Sequence, residues 1–120
     1  MPVLFKRQHA WQIKEGRKTV QFSATRPKNT KIGREYAVQI KPERRGDKPA
    51  APLCRVVLRS CHTIQLGEVD DAEARRAGYM DLASFKCRWI ERGLEWDPKR
   101  TIWRSEFALR GPALTARVAA

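Results

Sequence analysis

Little in this 120-residue sequence suggests chemistry that depends on covalent or metal cross-links. It has three cysteines, Cys54, Cys61 and Cys87, and no CxxC pair. An odd count with no secretion signal argues against a disulfide framework. The two histidines, His9 and His62, are far apart in the chain. Cys61 and His62 are adjacent, so on a regular strand they point to opposite faces and cannot share one metal. The cysteines therefore read as ordinary strand and core residues, and His62 as a structural histidine. No metal or cofactor is expected. No apolar run approaches the roughly 20 residues that span a bilayer. The opening MPVLFKRQHAW lacks the apolar core of an export signal, so a soluble, cytoplasmic protein is expected with no membrane partner.

Acidic residues are also scarce. There are 13 Asp and Glu against 25 Lys and Arg, a net charge of +12. The imbalance is segregated. Residues 1–60 hold 15 basic and 4 acidic residues, whereas residues 61–120 hold 10 and 9. Solubility alone would not favour one half. A basic half that folds into one face attracts polyanions. Walker loops, Ser-His-Asp sets and catalytic carboxylate pairs are missing from the sequence.

Hydrophobic residues make up 42% and charged residues 32%, a globular composition. One domain is expected over residues 1–110, followed by a frayed tail over 111–120. Val3 to Phe5 reads as a short edge strand. Lys6 to Glu15 reads as a helix with Ala10, Ile13 and Trp11 inward, stopped by Gly16. Thr19 to Ala24 alternates, with Val20 and Phe22 on one face and Gln21 and Ser23 on the other. A second strand, Glu35 to Lys41, follows a basic loop. Lys41 to Pro52 reads as an exposed hairpin tip, and Leu53 to Ile64 as a long strand. Asp70 and Asp81 are placed to cap two short helices ending at Gly78 and Gly93. Leu82, Phe85 and Trp89 give the second of these a buried stripe. Arg100 to Arg110 is the closing strand, with Trp103 expected in the core. Elements in this order favour a mixed α+β domain with an antiparallel sheet.

The segment FKRQHAWQIKEGRKTVQFS, residues 5–23, resembles the opening of ASCH domains, where a helix leads through a Gly-x-Lys-Thr turn into a strand. Gly16, Lys18 and Thr19 match that turn. AEARRAGYMDLASFKCRWI, residues 72–90, is similar to the family's helical segment, and WRSEFAL, residues 103–109, to its closing strand. The resemblance covers about nine-tenths of the chain by order and spacing, and is to small phage and bacterial single-domain members. It implies a PUA-like β-barrel of about five to six mostly antiparallel strands with two to three flanking helices. It further implies a cleft that binds RNA or other nucleic acid. Some members of the family are nucleases, and one branch removes acetyl groups from acetylated cytidine. The sequence departs from the fuller family pattern at Gln21, where a Glu is usual, and at Ser23, where an Arg is usual. Arg26 lies three residues on. Of the amidohydrolase branch's Lys, Thr and Glu, only Lys18 matches. Gln21 holds the Thr position and Gly78 the Glu position, with Glu73 and Asp81 nearby in sequence.

Together these readings predict RNA or single-stranded nucleic-acid binding through a basic cleft beside the Gly16-x-Lys18-Thr19 turn. The predicted contacts are Arg17, Lys18, Gln21, Arg26, Lys28, Lys31, Arg34, Arg55 and Tyr79. Lys18 is the one candidate catalytic residue. Arginines and lysines suit phosphate contacts, Gln21 suits a base edge, and Tyr79, Trp96 or Trp103 suit stacking. The competing readings are a ribonuclease or acetylcytidine amidohydrolase with Lys18 in the site, and a module for an acidic protein partner. A monomer or weak dimer is expected.

Overall fold

The structure, a computed structural model, describes residues 2–27, 31–42, 44, 46–48 and 51–112. Five strands form one sheet: β1 (Pro2–Phe5), β2 (Val20–Ser23), β3 (Glu35–Ile40), β4 (Cys54–Gln65) and β5 (Thr101–Pro112). Their order is β1-β3-β4-β5-β2. Among the described residues three ladders are antiparallel, and β1 runs parallel to β3. Three helices, α1 (Arg7–Lys14), α2 (Asp71–Arg76) and α3 (Leu82–Glu91), complete an α+β fold.

Both sheet edges line one cavity, which Leu4 and Phe5 of β1 share with Gln21 and Ser23 of β2. The sheet is therefore curled. No ladder joins β1 to β2 among the described residues, so the barrel is not closed. Each edge strand has only four residues, and the cavity separates them. The tail expected over 111–120 divides: β5 continues to Pro112, and residues 113–120 lie outside the described residues.

All three helices end alike. Gly16, Gly78 and Gly93 have φ of 81°, 96° and 82°. In each, the glycine N–H donates to the third-last carbonyl before it, and the next residue's N–H reaches one carbonyl further back. The pairs are Gly16 to Ile13 with Arg17 to Gln12, Gly78 to Arg75 with Tyr79 to Ala74, and Gly93 to Ile90 with Leu94 to Trp89. These are Schellman motifs, which only a residue tolerant of positive φ ends cheaply. At the other ends Asp70 accepts from the Glu73 N–H and Asp81 from the Ser84 N–H, the caps the sequence predicts.

The core has two parts. Val20, Phe22, Leu66, Phe85, Trp89 and Ile102 pack between the sheet and helices α2 and α3. Fully burying a side chain such as Phe85 contributes about 2–3 kcal/mol. Ala10 and Ile13 of α1 pack on Tyr36, Val38, Val56, Leu58 and Phe107. Trp11, expected inward, is exposed, and Gln12 is buried instead. The reason is the turn after α1, where Gln12 supplies both a backbone carbonyl and a side-chain donor to the interior. Trp103 is only half-buried, with the Arg26 guanidinium 5.3 Å from its ring centroid. His62 is exposed on β4. Cys54 is buried, Cys61 half-buried and Cys87 exposed on α3, all as free thiols.

Candidate nucleic-acid interface

The Gly16-Arg17-Lys18-Thr19 turn carries α1 into β2, and it also closes the end of α2. A short helix leaves its last carbonyls without partners inside the helix. Two of those on α2 are met by its own motif. The next, Arg76 C=O, accepts from the Thr19 N–H at 2.8 Å, and Ala77 C=O accepts from Lys18 Nζ at 2.5 Å. Lys18 Nζ also donates to Val20 C=O at 3.1 Å. The lysine side chain is 2% exposed. Burial lowers its pKa from 10.5 to about 7. Thus Lys18 sits at the predicted turn, but its amine lies inside the protein, one residue behind the surface that Gly78 forms.

That surface is an open groove of about 610 Å³. Its walls bring together Gln12, Arg17, Arg75, Arg76, Tyr79 and Met80. Arg17 is exposed and pairs with exposed Glu15 at 2.6 Å, an interaction that solvent weakens. Arg76 reaches Glu73 at 3.1 Å and Glu106 at 3.2 Å. Arg75 has no ion-pair partner among the described residues. Tyr79 is half-buried, with its ring set edge-on to His9 at 5.6 Å and tilted against Phe85 at 5.3 Å. Burial raises its phenol pKa, so the hydroxyl stays neutral. Burial first, and then the charges of Lys18, Lys6 and Arg88, lower His9 to about 4, so it is neutral near pH 7.

Gly78 shows why this wall needs glycine. A Cβ there would lie 2.3 Å from Gln12 Oε1 and 3.2 Å from His9 Nδ1. Gln12 Nε2 donates to Gly78 C=O at 2.9 Å, which holds the amide against the turn. Gly78 is therefore a helix stop packed against α1. Glu73 is held by Arg104 through two contacts, at 2.8 and 3.1 Å. Asp81 is occupied as the cap of α3.

Of the predicted contacts, Arg17 and Tyr79 share the groove, with Lys18 behind it. Gln21 lines the cavity inside the sheet, beside Pro27. Arg26, Lys31 and Arg34 are exposed along the loop between β2 and β3. Arg55 is exposed on β4 and lines a separate hollow with Glu35 and Ala37. Lys28 lies outside the described residues. The basic first half of the chain thus spreads over several sites. Sequence reasoning missed Arg75, Arg76 and Gln12. The signal was the Arg75-Arg76 pair in the last turn of α2, immediately before Gly78-Tyr79.

No protein-family model matches the sequence, and no curated protein matches it. Solved structures do. The chain superposes on an ASCH domain from Lactobacillus crispatus JV V101 with a TM-score of 0.56, at 18% identity over 84% of this chain and 69% of that one. The corresponding values for ASCH from Zymomonas mobilis are 0.64, 12%, 92% and 68%. The fold is that of an ASCH domain. The chain also superposes on a DUF984 protein from Enterococcus faecalis V583 with a TM-score of 0.60 at 15% identity. That alignment covers 99% of this chain and 86% of that one. No helix among the described residues of this ASCH fold is long and apolar enough to cross a membrane.

Proposed function

We propose that the protein binds single-stranded nucleic acid, RNA in the first instance, through the groove between the α1–β2 turn and α2. The observation that carries this reading is the convergence of Arg17, Arg75 and Arg76 with Tyr79 on one open groove. Guanidinium groups suit phosphate oxygens as forked donors, and a neutral aromatic face suits an unpaired base. The ASCH fold of the chain, which the wider family uses for nucleic acid, supports the same reading. Lys18 contributes by holding the wall: its bonds fix the end of α2, on which both arginines sit.

The test is a titration of labelled single-stranded RNA at two salt concentrations. Phosphate contacts release counterions, so affinity falls steeply as salt rises. Absence of binding at low salt rejects the reading. A hydrolase is the second reading, favoured by the amine of Lys18 with its pKa near 7, a value suited to proton transfer at neutral pH. It requires that amine to exchange its bonds to Val20 and Ala77 for substrate. Incubation with labelled RNA and with acetylated cytidine decides it, with Lys18→Ala as the control.

A further inference from the structure

The interior of the curled sheet holds a second cavity, of about 290 Å³, with walls of opposite character. Alternation along β2 and β5 sends Val20, Phe22 and Ile102 toward α2 and α3. It sends Gln21, Ser23 and Ser105 the other way, into the cavity, and Gln21 and Ser105 are directly paired across the two strands. The rest of the lining is apolar: Phe5, Tyr36 and Leu58, with Phe107 beside Ser105 on the same face of β5. A barrel interior is ordinarily apolar, and a polar group placed there needs a partner. These have poor ones. Ser105 is 7% exposed, and among the described residues its hydroxyl meets the Cys61 thiol, at 3.6 Å. The Gln21 amide makes one long contact, 3.5 Å to the neighbouring Phe22 carbonyl. Gln21 and Ser23 are half-buried, so their polar atoms remain accessible to a ligand.

The dimensions and chemistry select a ligand class. The volume is at the low end for small-molecule pockets, which suits one ring system and excludes a helix or a peptide strand. Phe5, Tyr36 and Phe107 offer aromatic surface. A Gln side chain presents a donor and an acceptor side by side, the pattern that reads one edge of a base. The rim is basic. Pro27 lines the cavity and Arg26 precedes it, exposed. The backbone N–H of Lys31 donates to the Tyr36 hydroxyl at 2.8 Å, which fixes that exposed lysine's backbone beside the opening.

We infer that this cavity takes a single nucleobase of a nucleotide, with Gln21 and Ser105 meeting its polar edge and Arg26 and Lys31 its phosphate. The inference rests on the nucleic-acid reading and adds base recognition to it, at a place separate from the groove.

The experiment is an NMR titration of the intact chain with each of the four nucleoside 5′-monophosphates, with ribose 5-phosphate as the base-free probe. The expected result is saturable shifts of the Gln21 side-chain amide and the Val56 and Leu58 methyls, with one base preferred by about tenfold. Gln21→Leu abolishes the preference. Ser23→Leu, which fills the cavity from the edge strand, gives the same loss should Gln21→Leu fail to fold. Silence of these signals with all four nucleotides, or equal shifts with ribose 5-phosphate, overturns the assignment. If RNA oligomers bind while nucleotides are silent, the cavity assignment alone falls. If nucleotides enter while oligomers fail to bind, the groove reading falls and the cavity stands as a site for free nucleotides.

Discussion

Lys18 Nζ donates to the backbone carbonyl of Ala77 at 2.5 Å, across 59 residues of sequence. This bond joins the turn before β2 to the carbonyl of the C-cap residue of α2. It makes the Gly-x-Lys-Thr turn a cap for a helix elsewhere in the chain. Replacing the lysine with Met leaves Ala77 C=O and Val20 C=O without that donor. Each buried carbonyl so orphaned costs about 1–3 kcal/mol, offset in part by relief of the ammonium's desolvation. A net loss of about 2 kcal/mol is expected by denaturant unfolding.

The same residue sets a pH dependence. Its folded pKa of about 7 is below the unfolded value of 10.5. Between these values the unfolded chain binds the extra proton, so stability from this group rises with pH, by at most about 1.4 kcal/mol per unit. Below pH 7 both states are protonated and the group adds no slope. Unfolding free energies measured from neutral to alkaline pH should rise in the wild type relative to Lys18→Met. Parallel curves would mean that the amine is not desolvated.

Gly78 and Gly16 close equivalent motifs, yet their substitution should differ. Both have positive φ, but a Cβ at Gly16 meets nothing within 4 Å, whereas one at Gly78 strikes Gln12 Oε1 at 2.3 Å. Gly16→Ala is expected to cost about 1 kcal/mol from backbone strain alone. Gly78→Ala adds an overpacking penalty and should cost about 2–4 kcal/mol. Equal midpoints in thermal unfolding would contradict the contact with Gln12.

Glu73 ties α2 to β5. The hydrogen bonds from Arg104 are the chief cause of its lowered pKa. A carboxylate with a depressed folded pKa stabilises above its unfolded value of 4.5, and that contribution disappears as pH falls through the folded value. Glu73→Gln should therefore be less stable at neutral pH by about 1–3 kcal/mol. It should also show a shallower loss below about pH 4.5 in an acid-unfolding series.

In the groove, Arg75→Ala should reduce the salt slope of RNA binding by about one, with little preference among sequences. Tyr79→Leu should weaken binding by about 1–3 kcal/mol and leave the salt slope unchanged. Arg76→Ala is the less clean variant, because it also unpairs Glu73 and Glu106.

Much of this architecture was legible in local pattern. The glycines that end α1, α2 and α3 and the aspartates that cap α2 and α3 stand where short-range hydrogen bonding demands them. The inward Val20 and Phe22 and the buried Phe85 and Trp89 follow from period alone. The site was less legible. Lys18 could be singled out, but not the direction of its amine. Arg75 and Arg76 read as ordinary helix-end cations, because nothing local ties α2 to the α1–β2 turn.

The sequence by itself determined where each helix starts and stops, which faces of β2 and α3 are apolar, and how unbalanced the charge is. These depend on neighbours within a turn or two of chain. Only the tertiary structure decided that Lys18 caps α2, that Gln21 faces Ser105 inside the sheet, and that the barrel stays open between β1 and β2. Each of these pairs groups dozens of residues apart, whose meeting depends on strand order and on competition for buried hydrogen-bond partners. No local periodicity encodes that competition.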